Sequence, residues 1–124
     1  MAATKLDGAG TQKMKTLEEA HMSLTQIHSL VERMGVEVKN GGNIGIFPNQ
    51  IKRLAGSLQG QLKGQFGQIA DMFSGMILAA GRGGSEIVRL RTLREYVATI
   101  RTSMDIAASK VKKEHSVDIV MSDD

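Results

Sequence analysis

Residues 48–84 read PNQIKRLAGSLQGQLKGQFGQIADMFSGMILAAGRGG, and this stretch decides what kind of protein the chain can be. Ile51, Ala55, Leu58, Leu62, Phe66, Ile69, Phe73 and Ile77 recur at steps of 4, 3, 4, 4, 3, 4 and 4 residues. Apolar side chains at that spacing fall on one side of an α-helix, so the stretch reads as a single long amphipathic helix. The repeat is close to eleven residues, a period of about 3.67 per turn, which favours a nearly straight rod over a left-handed supercoil. Pro48 and Asn49 suit its first turn and cap, and Gly81-Arg82-Gly83-Gly84 ends it.

The opposite face of this helix is nearly bare. With Leu62 at zero and an advance of about 100° per residue, Gly56, Ser57, Gly60, Gly64, Gly67, Asp71, Ser74 and Gly75 all lie beyond roughly 120°. A glycine inside a helix costs about 1 kcal/mol relative to alanine, so Gly56, Gly60, Gly64 and Gly67 call for compensation. Three accounts offer it. The face packs closely on another helix of the same chain; it is the contact surface for another chain, as small residues three or four apart allow; or the helix breaks or bends there. The second account makes Gly56, Gly60, Gly64 and Gly67 an expected interface.

Two further helices flank this one. Upstream, Leu17, Ala20, Leu24, Ile27, Val31 and Met34 form a heptad-like seam, Thr16 to Glu19 has the spacing of a capping box, and Gly35 is a fitting stop. The helix is expected from Thr11 or Thr16 to Met34. Downstream, Ser85 is a fair N-cap, and Leu90, Leu93, Val97, Ile100, Met104, Ala107 or Ala108, and Val111 make an inner stripe ending near Lys113. Between the first and second helices, residues 36–47 alternate around Asn40-Gly41, so a small β-hairpin competes with an irregular loop. Residues 117–121 form a short extended or unstructured tail. The expected fold is mainly all-α: a three-helix antiparallel bundle over residues 11–113, with flexible residues 1–10 and an acidic flexible tail, 114–124. The heptad seam allows the helices to be shared in an oligomer.

Composition narrows the chemistry. A chain of 124 residues fits one domain, and without cysteine neither a disulfide framework nor a thiolate site can exist. Three phenylalanines and one tyrosine are the whole aromatic supply, so the core must be aliphatic, with the eight methionines largely as filler. Residues 1–10 hold no apolar stretch of the secretory type, and Met76–Ala80 is too short to cross a bilayer. A cytoplasmic protein without membrane insertion is expected.

No constellation of nucleophile, base and orienting group is visible. His21 and His28 are seven apart, not the four that lets two histidines share a zinc, so partly buried or interfacial histidines are the simpler reading. A phosphotransfer histidine has no supporting motif. Gly81-Arg82-Gly83-Gly84-Ser85 resembles a phosphate cradle but lacks the Gly-Lys-Ser/Thr ending, which leaves a plain turn. No cofactor or metal is expected.

The net charge of +3 is unevenly spread: residues 48–113 carry eleven bases against four acids. Arg89, Arg91, Arg94, Arg101 and Lys112, with Lys52, Arg53 and Lys63, could together neutralise nucleic-acid phosphates; Tyr96 alone is too little aromatic surface for base stacking. The leading expectation is a non-enzymatic interaction protein that self-associates or docks on a protein partner. A small basic subunit binding nucleic-acid backbone within a larger assembly is the alternative.

Overall fold

The long middle helix does not exist as one rod. In the computed structural model, which describes residues 2–42 and 44–120, it divides into α2 (Ile46–Leu62) and α3 (Gly67–Gly81). The amide of Phe66 still donates to the Leu62 carbonyl at 2.7 Å, but Phe66 itself leaves helical geometry with φ −134° and ψ 63°. Folding back lets the two halves of the apolar stripe face each other: Ile51, Ala55, Leu58 and Leu62 of one half and Ile69 and Phe73 of the other are buried, while Phe66 and Ile77 are half-buried and Met76, outside the expected stripe, joins the core. A continuous helix would have offered them only other partners.

With α1 (Gly8–Lys39) and α4 (Glu86–His115), the chain is a four-helix antiparallel arrangement rather than a three-helix bundle. The contacts run α1 to α2, α2 to α3, α3 to α4 and α4 back to α1. Helices α1 and α4 have 32 and 30 residues against 17 and 15 for the middle pair. At about 1.5 Å per residue, the outer pair is nearly twice as long. The ends of α1 and α3 and the starts of α2 and α4 therefore share one end of the molecule, the loop end. Past the tip of the α2–α3 hairpin, α1 and α4 continue as a two-helix stem.

The stem is closed by an antiparallel pair of strands, β1 (Ala2–Leu6) and β2 (Ser116–Val120), with Leu6 opposite Ser116 and Ala2 opposite Val120. Segments read from sequence as flexible flanks thus pair with one another, because the antiparallel α1 and α4 deliver them to the same place; residues 121–124 of the expected tail lie outside the described residues. Asp7, not Thr16, caps α1: its carboxylate accepts from the Gly10 amide at 2.6 Å. Thr16 instead donates to the Gln12 carbonyl from inside the helix, at 3.1 Å. Nor does Gly35 stop α1, which runs on to Lys39, so no hairpin forms at 36–42; Asn43, part of the same expectation, lies outside the described residues. Ser85 caps α4 as expected, accepting from the Val88 amide at 3.3 Å.

The core is the stripes of all four helices. Leu17, Ala20, Leu24, Ile27, Val31 and Met34 of α1 are all buried, as are Leu90, Leu93, Val97, Ile100, Met104 and Val111 of α4. Among the described residues no polar or charged side chain is buried with them. The fold thus rests on apolar burial around a continuous aliphatic centre.

Candidate functional site

Of the four glycines expected to mark an interface, Gly56 and Gly60 stand on α2, Gly64 lies in the turn and Gly67 opens α3, so they do not form one strip. A Cβ at any of the four would meet nothing within 4 Å. Close packing inside the chain is therefore not their reason; Gly64 and Gly67 flank the break between the helices, whereas Gly56 and Gly60 lie within α2. Other glycines do accept close neighbours. Gly75 of α3 lies under Tyr96 of α4, where a Cβ would come within 2.5 Å of the hydroxyl oxygen, and Gly35 lies under Arg94 and Leu90. Gly10 makes room for the His115 side chain. Sequence alone could not separate these from the idle glycines, because a close approach depends on which helix becomes the neighbour.

The five basic residues of the alternative reading are not gathered. Arg89 and Lys112 are 23 residues apart on one helix, about 34 Å along its axis. Arg94, Arg101 and Lys112 share a flank by the helical period, but the Arg94 guanidinium donates to Glu32 of α1 at 2.9 Å. Arg89 is turned toward α3: with Ala79, Arg82, Ser85, Val88 and Thr92 it lines a cleft of about 60 Å³. Arg91 is exposed at the loop end and Arg101 is half-buried.

Two clusters bring titratable groups together. At the stem, His115 Nδ1 lies 3.2 Å from an Asp7 carboxylate oxygen while its Nε2 lies 3.2 Å from Lys13 Nζ. An ammonium can only donate, so this geometry suits a neutral imidazole that carries its proton on Nδ1 and accepts at Nε2. The Gly10 amide, with His115 beside it, holds the Asp7 carboxyl below its usual range. The Asp7 amide in turn donates to the His115 carbonyl at 2.9 Å, so the cluster ties the start of α1 to the end of α4. The second cluster is Glu32, shared between Arg94 and His28, the latter at 4.0 Å. His21 is exposed beside Met14, Met22 and Met104, away from both. Among the described residues no three His, Asp or Glu side chains are placed to hold a metal ion.

The most distinctive surface is one that sequence did not single out. Among the described residues eight large apolar side chains are exposed, and five of them, Val36, Ile46, Leu78, Ile87 and Val88, belong to the loop end. They are between 54% and 71% exposed and come from all four helices. The same end has a net positive balance. Residues 32–53 and 74–93, which are the two or so turns nearest the loops, carry Arg33, Lys39, Lys52, Arg53, Arg82, Arg89 and Arg91 against Glu32, Glu37 and Glu86. That balance is +4, while the remaining residues hold nine bases and ten acids. Neither half of this surface was legible in the linear pattern, because it depends on the break that brings residues near 46 and near 80 to the same end.

The chain matches no protein-family model, no curated protein and no solved structure.

Proposed function

We propose that this chain is a non-enzymatic structural or interaction protein that works by docking through its loop end, on a partner or on copies of itself. The observation that carries this reading is the placement of five of the eight exposed large apolar side chains among the described residues at one end of a bundle whose core is wholly apolar. Exposed apolar residues scattered singly need no explanation, whereas a concentration at one end, ringed by charge, is what a contact surface looks like. The polar clusters support the same reading. His115 bonds both Asp7 and Lys13 across the joint between α1 and α4, Asp7 also accepts from the Gly10 amide, and Glu32 bridges the same two helices through Arg94. Their partners are structural.

The nucleic-acid alternative draws on the shared flank of Arg94, Arg101 and Lys112. It is the weaker reading, because Arg94 is already paired and Arg89 is turned toward α3.

Site-specific photo-crosslinking tests the docking reading without knowledge of the partner. A photoreactive side chain at position 46 or 87 is expected to give higher-mass adducts, protein or lipid, in the cell that makes the protein, and one at position 60 is expected to give none. Adducts from position 60 but not from 46 or 87 would reject the loop end as the contact surface, and so would an absence of adducts from all three.

A further inference from the structure

We propose that the occupant of the loop end is an anionic lipid surface, which the chain meets end-on; this rests on the docking reading above and names its partner. Three observations favour it.

The first is charge complementarity. The loop end carries seven bases against three acids, a balance of +4 on the surface that also holds five of the eight exposed large apolar side chains among the described residues. A negatively charged plane attracts such a surface. The bases come from all four sectors of that end: Arg33 and Lys39 from α1, Lys52 and Arg53 from α2, Arg82 from the α3–α4 loop, Arg89 and Arg91 from α4.

The second is the shape of the apolar set. Val36, Ile46, Leu78, Ile87 and Val88 project from the last or first turns of four different helices, so they ring an end and do not line a groove. A partner helix needs a groove into which its own side chains descend. Of the five, Val88 lines a cleft of only about 60 Å³ between the end of α3 and the start of α4, and the larger cleft beside the loop end, about 420 Å³ between α1 and α2, is lined by Leu30, Arg33, Arg53 and Leu54 and by none of the five. A lipid surface, by contrast, accepts separate aliphatic side chains between headgroups while the surrounding bases remain at the level of the phosphates.

The third is depth. No described helix is long and apolar enough to cross a membrane, so the contact is with the surface. On α4 a cation stands behind the aliphatic rim: Arg91 is four residues, about one helical turn, further from the loop end than Ile87, the arrangement that holds an interfacial segment at the headgroup boundary; on α1, which runs toward the loop end, Lys39 is nearer the tip than Val36 and meets the headgroups first.

Flotation of the full chain with lipid vesicles tests this. Vesicles of phosphatidylcholine containing phosphatidylserine are expected to carry the protein at low salt, and phosphatidylcholine alone is not. Binding is expected to fall about tenfold or more with Ile87→Ser combined with Val88→Ser, and similarly with Lys39→Gln, Arg82→Gln and Arg91→Gln together. Ile106→Ser, an equally exposed residue away from the loop end, is expected to leave it unchanged. All the altered side chains are exposed or in loops, and an unchanged far-ultraviolet circular dichroism spectrum confirms that each variant folds. The proposal is overturned by failure of the wild-type chain to float with anionic vesicles at low salt, or by binding that the Ile87/Val88 pair does not affect. It is equally overturned if polyglutamate or single-stranded RNA, but not the vesicles, is retained through these residues. Should the vesicles fail while crosslinks from position 87 capture a protein, the docking reading stands and only the lipid assignment falls.

Discussion

Alanine at Gly56 and Gly60 should make this protein more stable, and the size of the gain follows from the structure. Both residues are helical, neither has positive φ, and an added Cβ would meet no atom within 4 Å at either. The methyl group thus costs nothing sterically, while it removes the backbone freedom that glycine brings to the unfolded chain. In the middle of α2, Gly56→Ala is worth about 1 kcal/mol, and Gly60→Ala, in the last turn where the helix frays, roughly half that. The double variant should gain about 1.5 kcal/mol, and for a domain of this size the melting temperature should rise by about 5–7 °C. Urea denaturation followed by circular dichroism measures the gain directly, with an unchanged denaturant slope showing that the surface exposed on unfolding is the same in both proteins. A loss of stability would refute the reasoning, because it would mean that something does come up against this face. If light scattering then showed the mass of an assembly falling in the same variant, the something would be a second chain, and Gly56, Gly60, Gly64 and Gly67 would be an interface after all.

Gly75→Ala should act in the opposite direction: its Cβ would lie 2.9 Å from two Tyr96 ring carbons, so overpacking should cost about 1–3 kcal/mol, and the loss should largely vanish in a Tyr96→Ala background when both are compared by chemical denaturation. Asp7→Ala should lower stability at neutral pH. Because the folded-state pKa of Asp7 is depressed, its contribution is present above the ordinary carboxylate value of 3.8 and is lost as the pH falls below that through the lowered value, so the wild-type and variant melting curves should converge in acid. The Arg94–Glu32 pair, with side chains 49% and 45% exposed, should couple by only about 0.2–1 kcal/mol in a double-mutant cycle, and less at high salt. If Arg94→Ala and Arg101→Ala together leave retention on a polyanion column unchanged, the flank of α4 is not a nucleic-acid surface.

Much of the interior was legible from the sequence. The seams of α1 and α4 were legible, save that Ala107 and Ala108 are only half-buried, because apolar side chains every three or four positions have one face to bury, whatever that face meets. The Ser85 cap was equally local, since a hydroxyl and the amide three residues on satisfy each other without help from the rest of the fold. The class of the fold and its aliphatic core follow from such information alone.

What sequence periodicity could not show was the break at residues 63–66. The apolar spacing keeps its phase from Leu62 to Phe66, so a straight rod and a hairpin have the same pattern, and the choice between them is made by what the two halves gain from packing on each other. The paired strands and the Asp7–His115 contact are decided in the same way, by contact between residues more than a hundred positions apart. From that one fold-back comes the loop end, with its aliphatic rim and surplus of cations. A linear sequence specifies which side chains seek burial and which stay charged; only the tertiary structure determines which of those left over stand together, because their neighbours come from distant parts of the chain.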